Sequence, residues 1–432
     1  MSDLKRALSL PGLLLYGIVL IQPTAPMPLF GAVAEKAQGH VVTAVLVGML
    51  AMLFTAISYG RMAGVHPSAG SAFTYAQEEI HPAAGYLVGW GMVFDYVMNP
   101  VICAIWCSKA AMNLLPGLPF AAGAVGFAAL FTLLNLRGIE ASTRTNAVIA
   151  TCLGGVIVLF LAAAVRYLWL QPPADAAAWI RPFYDPATFS FGAVSAGASL
   201  AVLTYIGFDG ISTLAEEAQD PRRNILRATV LVCIVTGVLA AIQVYTAQRV
   251  WPASTFPDVD TAFVHIAGQA GGPALFHVVN AALLVATIGS GTGAMLGAAR
   301  LLFGMGRAGA LPPALFAAVH PRTRVPHRNV LLLGVTTLVG ALTVSFPLGA
   351  ELLNFGALIA FMGVNAACFV RFFVRAPRRT AGNFFPPVLG FGVCFHLWLS
   401  LGATAKLAGF GWLALGVAYG VWRMRRRTAV AR

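Results

Sequence analysis

Charge is scarce in this sequence. Only 10% of the 432 residues are charged, and 15 acidic residues stand against 28 lysines and arginines. A soluble domain of this length cannot cover its surface with so few ionic groups. Long polar stretches are missing too, so there is no segment from which to build a separate soluble domain. Cysteine is sparse: Cys103, Cys107, Cys152, Cys233, Cys368 and Cys394 all fall in apolar stretches, and no pair has metal-ligand spacing. They read as small core residues without disulfides. No cofactor is implied. The sequence also lacks a nucleophile–base arrangement and a repeated acidic motif for holding magnesium, which argues against an enzyme.

Apolar length is what the sequence has in abundance. Hydrophobic residues make up 59% of the chain, and mean hydropathy is +0.80. Apolar runs of membrane length recur throughout, and each is a candidate transmembrane helix. We place spans near 11–34, 40–63, 85–113, 119–136, 144–166, 191–214, 226–250, 274–303, 329–347, 350–373, 385–404 and 406–423. The expected fold is an all-α polytopic membrane protein with 12 transmembrane helices. Lys5 and Arg6 before the first run imitate a signal peptide. The run is long and has no clear small-residue cleavage site, so it reads as the first span.

Twelve spans put both termini on one side. With the termini in the cytoplasm, 22 lysines and arginines lie inside and 6 outside (Lys36, Lys109, Arg166, Arg181, Arg249 and Lys406). The positive-inside rule selects that orientation. A net charge of +13 on a soluble protein would suggest nucleic acid. Here the charges sort between spans, so no nucleic acid is implied. The closing RMRRR is a charged tail placed beside anionic lipid.

Two spans are interrupted. Residues 22–31, QPTAPMPLFG, carry Pro23, Pro26 and Pro28 within six positions of the first span. Each proline removes a backbone donor and clashes with the preceding turn. The second interruption is TYIGFDG at 204–210, where Gly207 and Gly210 flank Phe208 and Asp209. It lies in span 6, five spans after the first, and a five-span repeat inverts topology. Interrupted helices at matching positions of inverted halves point to a transporter's binding site.

Longer motifs carry a resemblance. GFDGISTLAEEAQDPRRNI at 207–225 resembles the span 6 signature of the amino acid–polyamine–organocation transporter superfamily. SYGRMAGVHPSAGSAFTYAQEEIHPAAGYLVGWGMVFDY at 58–96 resembles its loop between spans 2 and 3. AARLLFGMGRAGALPPALFAAVH, within 291–320, resembles its span 8 and following loop, and NFGALIAF at 354–361 its span 10. GSAFTYAQ and Asp95-Tyr96 are similar to the bacterial putrescine-importer branch. The resemblance covers nearly the whole chain. It implies one transmembrane domain over 1–432, working by alternating access. The implied architecture is a leucine-transporter-type 5+5 inverted repeat with broken helices 1 and 6. Repeat one is about 11–166, repeat two about 191–373, and two extra helices occupy about 385–423.

Two intramembrane carboxylates stand out, Asp209 at the span 6 break and Asp95 in the middle of span 3. Such groups are expensive at that depth and usually functional. No lysine or arginine sits at the same depth to pair them, so a cationic substrate or a titrating proton is the natural partner. The bland reading satisfies them with Ser, Tyr or backbone donors. The family resemblance implies that Tyr96 and Asn99 face the cavity, with Tyr205 and Phe208 flanking the break. Trp90 and Trp106 read equally as packing aromatics. Glu216, Glu217 and Asp220, beside Arg222 and Arg223, read as a cytoplasmic charge network. His66, His81, His320 and His327 read as solvated or capping residues of inner loops.

For coupling, several relatives carry a span 5 lysine in place of a sodium ion. NAVIATCLGG at 146–155 has none. Ser290 and Thr292 of span 8 offer oxygens to Na+, or pack as small residues. Proton coupling through Asp209 or Asp95 is the expectation by resemblance. For the substrate, amino acid carriers of the superfamily receive the carboxylate on bare N–H groups of a Gly-Ser-Gly-like turn in span 1. Pro23-Thr24-Ala25 stands over that turn here, so the anion nest is impaired. The carbonyl end of the first half-helix attracts an ammonium instead. The expected substrate is therefore a small cationic amine such as putrescine. The alternative is an amino acid, held by the N–H groups of Thr24, Ala25 and Met27. A sensor that binds without moving substrate is a further class, against which the paired breaks argue.

Overall fold

The computed structural model describes residues 8–66, 71–138, 143–172, 175–215, 217–307, 309–320 and 325–430. Lys5, Arg6, Glu216, Arg322, Arg324, Arg432 and residues 67–70 of the first loop motif lie outside the described residues. The chain is nearly all helix. Apart from one bridge between Leu8 and Ala218, no strand pairing occurs among the described residues. Apolar chain in lipid must satisfy every backbone polar group within itself, and helices do so locally.

The helices are α1 (Leu10–Ile21), α2 (Pro26–Lys36), α3 (Val41–Val65), α4 (Ser71–Glu79), α5 (Pro82–Leu114), α6 (Phe120–Leu136) and α7 (Thr143–Leu170). They continue with α8 (Phe191–Ala201), α9 (Pro221–Val250), α10 (Ala262–Arg307), α11 (Pro313–Phe316) and α12 (His327–Thr343). The last are α13 (Phe346–Phe369), α14 (Ala381–Leu399) and α15 (Ala403–Val430). Among the described residues seven helical segments are long and apolar enough to cross a membrane, or up to nine if each of two bent pairs is one span. α1 with α2 is one such pair, bent by 57°. The other, α14 with α15, bends by 112° where two separate spans are expected.

α10 differs from expectation. It starts at Ala262 rather than near 274, and Gly272 (φ 75°, ψ −173°) kinks it just before Pro273. The sequence around 262–271 is less continuously apolar, so that first stretch escaped a reading based on apolar runs. α13 runs on through a π-helical turn, Val370–Val374, that carries Arg371.

The interior is one continuous apolar core shared by the helices. α3 packs along α9, and α5 lies between α13 and α10. Small residues set these approaches, since lipid supplies no hydrophobic drive between helices. A Cβ on Gly356 of α13 would meet the Gly91 carbonyl and the Asp95 backbone of α5, so only glycine permits this crossing. Trp90 and Trp412 lock α5 to α15: their rings stack at 4.7 Å, and each indole N–H donates to the other's backbone carbonyl, at 2.8 and 2.9 Å. Trp90 is thus a packing aromatic. Trp106 is likewise buried, its indole donating to the Asp260 carbonyl at 2.8 Å.

Candidate functional site

The first break occupies Gln22–Ala25. Gln22 takes φ 64°, and the prolines shorten the hydrogen bonds that follow. Pro26 cannot donate to the Gln22 carbonyl, so Ala25 N–H does, at 3.0 Å. Pro28 cannot donate to the Thr24 carbonyl, so Met27 N–H does, at 2.9 Å. Two of the three N–H groups that could receive an anion are therefore already engaged. The opposite pole is open: the carbonyls of Val19, Leu20 and Ile21, at the end of α1, accept no hydrogen bond from the described residues. A helix C-terminus with free carbonyls carries partial negative charge. Side chains pin the break on two sides. Gln22 Nε2 donates to Ala286 O of α10 at 3.2 Å, and Gln243 Nε2 of α9 donates to Pro23 O at 3.0 Å.

The second break faces the first. α8 ends at Ala201, a 3-10 turn covers Val202–Tyr205, and a second covers Phe208–Leu214. Gly207 between them has φ 124°, which side-chain-bearing residues avoid. A Cβ there would come within 3.3 Å of the Ile21 backbone, so the two breaks touch. Asp209 Oδ1 accepts from Gly207 N–H at 3.2 Å, with the N–H groups of Asp209 and Gly210 also turned toward the carboxylate. Asp209 thus has a backbone donor at the start of the second half of its broken span.

Asp95 is in a different situation. It is 8% exposed, and its Cβ side lies against Gly356 of α13. Among the described residues, no donor hydrogen-bonds its carboxylate and no cation pairs with it. It lies within electrostatic reach of Asp209. Burying a charge without a partner costs several kcal/mol, and a second like charge nearby adds to that. A cation held between the two carboxylates removes both penalties.

The other expected residues divide. Tyr96 joins the pair, within electrostatic reach of Asp95 and Asp209, its ring against Gly297 of α10. Asn99 Oδ1 faces the Cys103 thiol of its own helix at 3.4 Å. Phe208 packs edge-on to Tyr59 of α3 at 5.5 Å. Tyr205 turns away: its hydroxyl donates to Val45 O at 2.8 Å, and its ring sits beside Gly48 and Gly237, between α3 and α9. Ser290 lies beside the Cys103 thiol, one turn beyond Ala286. Thr292 donates to Ile288 O of its own helix at 2.8 Å, and its carbonyl is taken by Asn135 of α6.

Sequence reasoning missed Tyr59, which lies within electrostatic reach of both carboxylates. It sits in SYG at 58–60, inside a motif read as the approach to a loop. His66 stands at the C-cap of α3 and adds a contact that its loop position did not signal, its Nε2 meeting Glu79 Oε1 at 2.7 Å. His81 does cap: its Nδ1 accepts from Ala83 N–H at 3.1 Å, at the start of α5.

Two touching half-helix breaks, with the Asp95 and Asp209 carboxylates near them and membrane-length helices around them, mark the candidate site of a multi-pass membrane protein. The amino acid permease family model matches residues 28–403, and the chain belongs to that family. It is a permease and not an enzyme. The low-affinity putrescine importer PlaP of Escherichia coli K12 is 34% identical, over 96% of this chain and 93% of that protein. The branched-chain amino acid permease BcaP of Bacillus subtilis is 27% identical, over 96% and 92%. The methylthioribose transporter of the same organism is 29% identical, again over 96% and 92%.

Proposed function

We propose that this permease imports a small cationic amine, putrescine or a related polyamine, across the bacterial inner membrane by alternating access. The Asp95 carboxylate, which no donor or cation among the described residues partners, is the observation that carries this reading. A diamine puts one ammonium near the free carbonyls of α1 and Asp209. The other reaches Asp95 and Tyr96. Engagement of the Ala25 and Met27 N–H groups weakens the competing carboxylate site. Similarity to an importer of putrescine points the same way.

The proposed architecture is twelve spans in a 5+5 inverted repeat, 11–166 against 191–373, with two added helices at 385–423 and both termini cytoplasmic. The touching breaks in α1–α2 and after α8 support it. Transport is driven by protons, with Asp95 or Asp209 carrying the titrating group. Na+ held near Ser290 and Thr292 is the alternative driver.

Uptake of labelled putrescine into proteoliposomes tests the reading. Asp95→Asn should abolish it, and Asp209→Asn should impair it. Similarity to an amino acid permease favours a second reading, a proton- or sodium-coupled amino acid permease or exchanger. Competition by amino acids and not by diamines would establish that reading and sink the first.

A further inference from the structure

Each break leaves backbone carbonyls that its own helix does not serve, and each is met by a buried side-chain amide from a neighbouring continuous helix. At the first break the Pro23 carbonyl has no helical donor. Pro26, three residues on, has no N–H, and Met27, four residues on, gives its N–H to Thr24 O. Gln243 of α9 takes that carbonyl: its Nε2 donates to Pro23 O at 3.0 Å, and to Leu239 O of its own helix at 3.2 Å. At the second break the last α-turn of α8 closes with Val202 N–H on Ala198 O, and the chain then tightens into the 3-10 turn. The Ser199 and Leu200 carbonyls fall at that change of pitch. Asn354 of α13, the first residue of the NFGALIAF motif, takes both, its Nδ2 donating to Ser199 O at 2.8 Å and to Leu200 O at 3.1 Å.

Both amides are fully buried, and among the described residues neither Gln243 Oε1 nor Asn354 Oδ1 finds a donor. A buried, unpaired oxygen carries a cost that an apolar side chain of similar size avoids. These amides are therefore present for their donors. Irregular backbone at membrane depth needs partners of this kind. The elements that supply them are firm. α9 and α13 run as helices of 30 and 24 residues, and Gly356, two residues beyond Asn354, is seated against the α5 backbone.

We infer that Gln243 and Asn354 are positioning residues of the transport site. They hold the two breaks unwound before substrate arrives, so that binding does not have to unwind them. The inference concerns the breaks and does not depend on the amine reading above. Asn280 of α10 is the matched control. It is equally buried, its Oδ1 also finds no donor among the described residues, and its Nδ2 donates to Ala110 O within α5 at 2.8 Å, away from either break.

Hydrogen exchange on the full-length protein, without substrate, reads the breaks directly. Gln243→Leu should speed exchange across 22–27, and Asn354→Leu across 201–206, each about tenfold, as expected for one or two ordinary hydrogen bonds. Asn280→Leu should lower the melting temperature by a similar amount and leave both segments at the wild-type rate. In proteoliposomes the KM for putrescine should rise several-fold in the first two variants, with Vmax close to wild type, and stay unchanged in Asn280→Leu. Where a leucine variant fails to fold, Gln243→Met or Asn354→Ser is read in the same way. Wild-type exchange at 22–27 and 201–206 in the folded variants, or an equal rise in KM in Asn280→Leu, overturns the inference. Wild-type protein that takes up no putrescine overturns the amine reading alone, and the exchange rates then decide this one.

Discussion

Arg375 Nη1 donates to Glu79 Oε2 at 2.9 Å, tying the end of the α13 helix to the short helix α4. His66, just past α3, meets the other oxygen of the same carboxylate, and Arg371 Nε lies 3.7 Å from it. The Glu79 side chain is 3% exposed while both arginines are about half in solvent, so this is a buried anion with three cationic or polar partners. α4 is joined to the second break as well, through Ser71 Oγ and Ser212 Oγ at 3.1 Å. Glu79 thus gathers the ends of three elements next to the candidate site.

Glu79→Ala should lower stability by about 1–3 kcal/mol, because it strips a buried acceptor from several donors at once. The half-exposed arginines keep the loss below that of a fully buried pair. A melting curve in detergent reads it, and an unchanged midpoint would contradict the structural role given to this carboxylate.

A pH effect is expected at the opposite set of loops. Asp260 lies just before α10; burial first, then the Asp258 charge, pushes its carboxyl from 3.8 up to about 6, against the pull of Lys109. A carboxyl that protonates more easily in the folded chain stabilises the fold fully below its unfolded value. That contribution is lost as pH rises through about 6. Asp260→Asn should therefore flatten the melting temperature between about pH 4 and 6, and raise it at pH 7. A variant slope identical to wild type would show that Asp260 does not titrate in this range.

Gly207→Ala should abolish uptake and cost about 1–3 kcal/mol, since φ 124° excludes a side chain and the Cβ would press on Ile21. Gly154→Ala is the matched control. Its Cβ would enter open space within α7, where alanine gains about 0.5–1 kcal/mol over glycine. Equal behaviour of the two variants would remove the special role of the break.

Pro23→Ala restores a donor to the turn that leaves the Val19 carbonyl free. Putrescine KM should rise several-fold, with folding intact, if the free carbonyls help hold an ammonium. A KM that stays constant would shift the ammonium away from α1.

Much of this molecule was legible in the sequence. Apolar runs located the helices because a membrane span must be long and self-satisfied in hydrogen bonding. Prolines and glycines located both breaks because their effect on backbone geometry is local. Asp95 and Asp209 stood out for the same reason: a carboxylate amid apolar neighbours is conspicuous in one dimension. The first stretch of α10 was hidden, since its 262–271 sequence has no membrane-length run.

Rotation and contact were not legible. Tyr205 and Tyr59 are both tyrosines next to a signature motif, yet Tyr205 hydrogen-bonds the α3 backbone while Tyr59 packs edge-on against Phe208 of the second break. Asp209 and Asp95 look alike in sequence, and only the fold gives one a backbone donor and leaves the other without a donor among the described residues. The sequence by itself determined that the chain enters the membrane, where its helices lie and where two of them break. The tertiary structure decided which side chains meet at those breaks, because a helix's rotation is set by glycine-sized contacts such as Gly60 on Leu226 and Gly356 on Gly91, between residues far apart in the chain.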